Sequence, residues 1–190
     1  MQNIILIGSS TGGPGHLQKI VSSLPSTFNA TIVIAQHMGA EYLKSFAASL
    51  NEISKLTVTL VEDTSYLKNK TIYVCEKNCK FKMIDETITL CAQEDEYSQY
   101  NPDISELFSS GVVLCGRYKI MAIILTGIGD DGSSGMLDLS KCASSLIAES
   151  QESAIVYGMP MRAKEVVENI NVLSLDEIIV AIKEFGAEYV

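Results

Sequence analysis

Basic residues are scarce in this chain: 14 lysines and arginines stand against 23 aspartates and glutamates, a net charge of −9. The few cations are scattered rather than striped, so the footprint that holds a polyphosphate backbone is missing and no nucleic-acid partner is expected. Long apolar runs are missing as well. The longest, Ile120 to Leu125, falls far short of the roughly 20 residues that cross a bilayer, and no membrane insertion is expected. The N-terminus lacks the basic region and extended apolar core of a secretory signal, which predicts cytoplasmic residence. The five cysteines form no CxxC pair and neither of the two histidines lies near them in sequence. They read as free, reduced packing thiols, Cys75 and Cys79 included, rather than as a zinc site. Internal repeats, low-complexity linkers and a G-x-x-x-x-G-K-[ST] loop are absent too.

What is present suits one compact domain over residues 1–190, with 47% apolar residues to fill a core. Asn3 to Ile7 reads as a strand, followed by a Gly/Ser/Thr turn and a helix carrying Leu17, Ile20, Val21 and Leu24. Thr31 to Gln36 repeats the pattern, with Leu43, Phe46, Ala47 and Leu50 on its helix. Leu56 to Val61 and Thr71 to Val74 are further strands, and Phe81–Ile84 with Thr87–Leu90 flank Asp85-Glu86 as a hairpin that makes the sheet mixed. A polar loop is expected from Gln93 to Asn101. Asp103 and Glu106 mark the capped start of a helix that stops at Gly111, and Ile120–Leu125 reads as a central strand apolar on both faces. Leu146–Ala148 adds a strand, Pro160 opens a helix reaching about Ile170, and Ser174 with Glu177 caps the last helix. The alternation predicts an α/β fold: a doubly wound, mostly parallel sheet between helices, a Rossmann-like three-layer sandwich with a β-hairpin insertion.

Such sheets carry their sites at the carboxyl ends of the strands. Three segments fall there: Gly8-Ser9-Ser10-Thr11-Gly12, the pair Gln36-His37, and Thr126-Gly127-Ile128-Gly129-Asp130-Asp131-Gly132. The first satisfies G-x-S-x-G between a strand and a helix, the setting in which a sharp turn lifts a serine clear of the sheet. Ser10 is therefore the candidate nucleophile. Ser9 is off the spacing, and a serine that only caps the helix is the plainer reading of the same turn. Of the two histidines, His16 is expected on the surface of the first helix and His37 at the sheet edge, which makes His37 the candidate base. Asp130 and Asp131 are both candidates for the acid that orients it. A dinucleotide loop is the rival for these turns, but the middle glycine of G-x-G-x-x-G is Ser10 here, and Gln36-His37 stand where a ribose-binding acid belongs.

Taken together, Ile7–Gly13, Gln36-His37-Met38 with Ser45-Phe46-Ala47, Leu125–Gly132 with Gly135-Met136, and Gly158-Met159-Pro160 with Ala163 resemble the catalytic domain of the chemotaxis protein-glutamate methylesterases, the CheB family. The resemblance implies Ser10 as nucleophile, His37 as base and Asp131, rather than Asp130, as orienting acid. It implies backbone N–H donors of Thr11 and Ile128 in an oxyanion hole, where the family usually has methionine at the second position. It implies hydrolysis of glutamate γ-methyl esters on the cytoplasmic helices of chemoreceptors, with deamidation of receptor glutamines as a related activity and no cofactor. A serine esterase or amidase with another substrate, or a nucleotide-binding Rossmann-like domain, is the alternative. The receiver domain that precedes most family members is not expected, because the chain starts at its first strand. Cys75–Lys80 and Asn101-Pro102-Asp103 depart from the family's pattern, and both are expected to border the substrate cleft.

Overall fold

The computed structural model of the chain describes residues 1–93 and 99–187. In order these are β1 (Gln2–Ser9), α1 (Gly13–Ser23), β2 (Thr31–Gln36), α2 (Ala40–Ile53), β3 (Thr57–Leu60), β4 (Ser65–Tyr66) and β5 (Thr71–Val74). They continue with β6 (Asn78–Ile84), β7 (Thr87–Gln93), α3 (Ile104–Ser110), a 3-10 turn (Gly111–Leu114), β8 (Tyr118–Ile124), α4 (Ser133–Leu139), β9 (Ser145–Glu149), α5 (Met159–Val166), β10 (Asn171–Leu173) and α6 (Leu175–Phe185). Of the polar loop expected before α3, residues 94–98 lie outside the described residues.

Seven strands form one parallel sheet in the order β10-β9-β8-β1-β2-β5-β3. Alternation along each buried strand splits the core in two. Ile5, Ile7, Ile32, Ile34 and Ile123 face α1, α2 and α6, whereas Ile4, Leu6, Val33, Ile120 and Ile124 face α3, α4 and α5. The β1-α1-β2 connection runs to one side of β1 while β8 and β9 lie on the other, so the order reverses between β1 and β8. A crevice opens at such a point, outside the carboxyl ends of the strands.

The structure corrects four expectations. The central sheet is not mixed: β6 and β7 pair antiparallel with each other and with β4 in a separate three-stranded sheet. Phe81, Ile88 and Leu90 seal that hairpin against Ile104, Leu107 and Phe108, so it covers the core from outside instead of extending it. The helix opened by Pro160 ends at Val166, and the residues beyond it form the edge strand β10, too short and exposed for any periodic signal. His16 is buried, as described below. Cys115 and Cys142, expected as free thiols, form a disulfide with their Cα atoms 5.9 Å apart. The turn before β8 and the segment after α4 meet at the amino ends of neighbouring strands, a proximity that no sequence spacing announces. Cys75, Cys79 and Cys91 are free and buried.

Candidate active site

Strand register assembles the site. Ser9 pairs with Gln36 across β1 and β2, so the next residues, Ser10 and His37, leave the sheet side by side. The ladder continues past the strands: His37 N–H donates to the Ser9 carbonyl at 2.9 Å, and Ser10 N–H donates to the Thr126 carbonyl at 2.9 Å. Gly127 then lies against the nucleophile turn, where a Cβ would stand 2.7 Å from Ser10 Cβ and 2.3 Å from Met159 Sδ. Gly12, at φ 85°, makes the sharp entry into α1, a backbone that a side chain strains.

The two serines are cleanly separated. Ser9 is fully buried and its hydroxyl donates to Gln36 Oε1 at 2.7 Å. Ser10 is only half-buried, and among the described residues its hydroxyl has no hydrogen-bond partner.

His37 Nε2 lies 2.7 Å from Asp131 Oδ2, with the carboxylate almost wholly buried. That carboxylate also accepts from the amides of Ile104 at 2.9 Å, Ser105 at 2.8 Å and Gly132 at 2.8 Å. Burial would lift the Asp131 carboxyl, but the hydrogen bonds from His37, the Ile104 and Ser105 amides and the Ser105 side chain prevail and hold it below its ordinary value of 3.8. It is an anion at neutral pH, fixed at the start of α3. Asp130, its neighbour, is exposed. Because Asp131 takes Nε2, the ring nitrogen left for a substrate or nucleophile is Nδ1, the reverse of the chymotrypsin arrangement. No Ser10–His37 hydrogen bond is formed, so the base–acid half of the expected line is present and the nucleophile–base half is open. Nucleophile–base contacts of this kind commonly tighten only in the complex with substrate.

Two amides are also open. Among the described residues, neither Thr11 N–H nor Ile128 N–H has an acceptor. In a trans peptide the N–H points opposite to the preceding C=O, and both preceding carbonyls are fixed. That of Ser10 accepts from Gly13 N–H and Gln36 Nε2 at 2.9 Å each. That of Gly127 accepts from the amides of Gly158 at 3.1 Å and Met159 at 2.9 Å. The Gly158-Met159-Pro160 block therefore clamps the turn that carries Ile128.

Sequence reasoning missed several members of the site. Tyr100 stacks on His37, with centroids 5.0 Å apart and planes 3° from parallel. Burial and the carboxylates of Asp130, Asp131 and Asp103 raise its hydroxyl pKa. No local pattern marks such a loop aromatic. His16, expected on the surface, is 7% exposed. Its Nδ1 lies 3.2 Å from the fully buried carboxylate of Glu149, which also accepts from Thr126 N–H at 2.8 Å and Ser153 Oγ at 2.8 Å. The signal was available, since His16 precedes Ile20 by four residues on the buried face of α1. The two segments that depart from the family's pattern meet each other: Asn78 Oδ1 accepts from Asp103 N–H at 2.7 Å. Beside them a cleft of about 590 Å³, lined by Tyr100, Asp103, Asp130, Asp131, Arg162 and Glu165 among others, runs past the acid. Among the described residues no cluster of three histidine, cysteine or carboxylate side chains could hold a metal ion, and no helix is long and apolar enough to cross a membrane.

Comparison with known proteins gives one answer. The family model described as CheB methylesterase matches residues 5–182. The protein-glutamate methylesterase/protein-glutamine glutaminase 2 of Carboxydothermus hydrogenoformans is 35% identical over 170 residues, covering 86% of this chain and 48% of the relative. The Bacillus subtilis protein-glutamate methylesterase/protein-glutamine glutaminase is 36% identical over 166 residues, covering 85% and 46%. The chain thus spans about half the length of the curated relatives it matches. The crystal structure of the Thermotoga maritima CheB methylesterase catalytic domain superposes with a TM-score of 0.86 at 30% identity, covering 97% of this chain and 98% of that one. By its fold, by the model that spans it and by these relatives, the chain belongs to the CheB methylesterase family.

Proposed function

We propose that this protein is a cytoplasmic serine hydrolase that removes methyl groups from glutamate γ-methyl esters on the cytoplasmic helices of chemoreceptors, and deamidates receptor glutamines by the same route. The observation that carries the reading is the His37–Asp131 hydrogen bond, set beside a Ser10 hydroxyl and two amides that have no partner among the described residues. The activities named for the relatives support glutamate methyl esters and glutamines of proteins as substrates, and the resemblance to the chemotaxis family supports chemoreceptors as the proteins that bear them.

In the mechanism, Ser10 Oγ attacks the ester carbonyl carbon as its proton passes to His37 Nδ1. The Nε2–H bond to Asp131 holds the ring, and the anion offsets the positive charge that develops on it. The carbonyl oxygen becomes an oxyanion facing the Thr11 and Ile128 amides, which need not reorganise because their peptides are already fixed. Collapse expels methoxide, protonated from His37 to methanol, and leaves a glutamyl ester on Ser10. Water, deprotonated by His37, then attacks that ester, and the glutamate γ-carboxylate departs as Ser10 regains its proton. A γ-amide follows the same course and releases ammonia. No step calls on a cofactor.

A peptide bearing a glutamate γ-methyl ester tests the assignment. Wild-type protein releases methanol, whereas Ser10→Ala, normally folded by circular dichroism, loses at least about a thousandfold in rate. Release by Ser10→Ala at the wild-type rate would remove Ser10 as nucleophile. Turnover of simple esters without turnover of this peptide would reassign the substrate.

A further inference from the structure

Gln36 is 1% exposed, yet it is joined to every segment of the nucleophile and base. Its Oε1 accepts from Ser9 Oγ at 2.7 Å, and its Nε2 donates to the carbonyls of Ser10 and His37, each at 2.9 Å. Both amide protons and one oxygen lone pair are thus committed, and the contacts fix which end of the amide is which. Two backbone carbonyls cannot bond to an oxygen, so Nε2 must face them. The space is reserved for this side chain: a Cβ on Gly13 would stand 2.1 Å from Gln36 Oε1.

These contacts have a directional consequence. The Ser10 carbonyl is drawn inward by Nε2, and across the trans peptide this turns Thr11 N–H outward. The same Nε2 holds the His37 carbonyl, while His37 N–H is held by the Ser9 carbonyl at 2.9 Å. The backbone on both sides of the base is therefore anchored to the turn that bears the nucleophile. Apart from this side chain, among the described residues only the single His37 N–H to Ser9 carbonyl bond crosses directly from His37 to that turn.

We infer that Gln36 is a positioning residue: it aims the Thr11 amide at the oxyanion and locks the Ser10 turn to the His37 backbone. It touches no substrate and acts through Thr11, Ser10 and His37. The inference rests on the reading of Ser10 and His37 as nucleophile and base, but its structural half stands apart from activity.

Two near-isosteric variants test it, Gln36→Met, which removes donors and acceptor, and Gln36→Glu, which replaces the donating nitrogen with oxygen. Each is expected to lower kcat by about a hundredfold, the scale of a lost oxyanion donor, with KM within about twofold. A remote core variant, Ile182→Val in α6, serves as the stability control and keeps wild-type kcat. Crystal structures of the variants are expected to show the Ser10–Thr11 peptide rotated from its wild-type orientation. Wild-type kcat in either folded variant, or an unmoved peptide, would overturn the inference. If neither variant folds, the wild-type protein decides by NMR. Slow exchange of both Gln36 side-chain protons supports the two bonds, and exchange at the rate of an exposed glutamine refutes them. A rotated peptide in the variants of a protein that hydrolyses no ester would leave the positioning role intact and refute the assigned reaction instead.

Discussion

At the scale of single residues, the two adjacent aspartates show how environment divides like side chains. Asp131 is buried and accepts hydrogen bonds from His37, Ile104, Ser105 and Gly132, whereas Asp130 is exposed. Asp131→Asn is expected to lower kcat by up to about ten-thousandfold, the cost of misorienting a catalytic imidazole, and Asp130→Asn by a few-fold only. Steady-state kinetics of the pair checks this, and the reverse ranking would reassign the acid. The depressed Asp131 pKa also links to stability. A carboxyl held below its ordinary value of 3.8 stabilises the fold above that pH and loses the contribution as pH falls through the lowered value. Acid titration of stability is therefore expected to fall less steeply below about pH 4 in Asp131→Asn than in the wild type. At this scale the sequence was partly legible. Ser10 was marked by its turn and His37 by rarity and place, but the choice between Asp130 and Asp131 came only from family resemblance. Tyr100 and Glu149 were not legible at all, because each acts through a tertiary contact with no local spacing.

Among the elements, close approach of helices and strands decides how well the Asp131 carboxylate is held. α3 and α4 touch at Gly135, where a Cβ would meet the Ser105 carbonyl oxygen at 2.4 Å and Phe108 Cβ at 2.6 Å. Gly135→Ala is expected to push α3 away, destabilising the fold by about 1–3 kcal/mol in urea titration and reducing kcat as the Ser105 amide leaves Asp131. α6 provides the contrast: among the described residues it makes no hydrogen bond to Ser10, His37 or Asp131, and reaches the network of Glu149 only through the Leu175 amide on Ser153 Oγ. Its capping box, with Ser174 accepting from Glu177 N–H and Glu177 reaching back to the Ser174 amide at 2.7 Å, was read directly from Ser174 and Glu177. Ser174→Ala is expected to cost about 1 kcal/mol with kcat unchanged. Elements with a strong local signal were the legible ones: β2 and β5 match the expected runs, as do the hairpin at Asp85-Glu86 and the cap of α6. Those defined only by pairing, β4 and β10, were invisible because two or three residues carry no period. The hairpin's departure into its own sheet was hidden too, since alternation gives a strand's faces but not its neighbours.

At the scale of the whole molecule, the site is a product of strand order. β1 and β8 are adjacent although 108 residues lie between Ser9, the end of β1, and Tyr118, the start of β8, and the carboxyl ends of the sheet bring together the Ser10 turn, His37 one strand over and Asp131 after the partner strand. The chain order Ser, His, Asp differs from that of α/β-hydrolases, which marks this triad-like set as the work of a different sheet. The alternation of strands and helices was enough to predict that layout, because a parallel sheet leaves few ways to bury two apolar faces. Methyl-labelled chemoreceptor in membranes tests most directly whether this layout serves a receptor ester through Ser10. Incubation with the wild-type protein is predicted to release labelled methanol in proportion to enzyme, with release by Ser10→Ala at background. Labelled receptor left intact by wild-type protein that still hydrolyses simple esters would contradict the account.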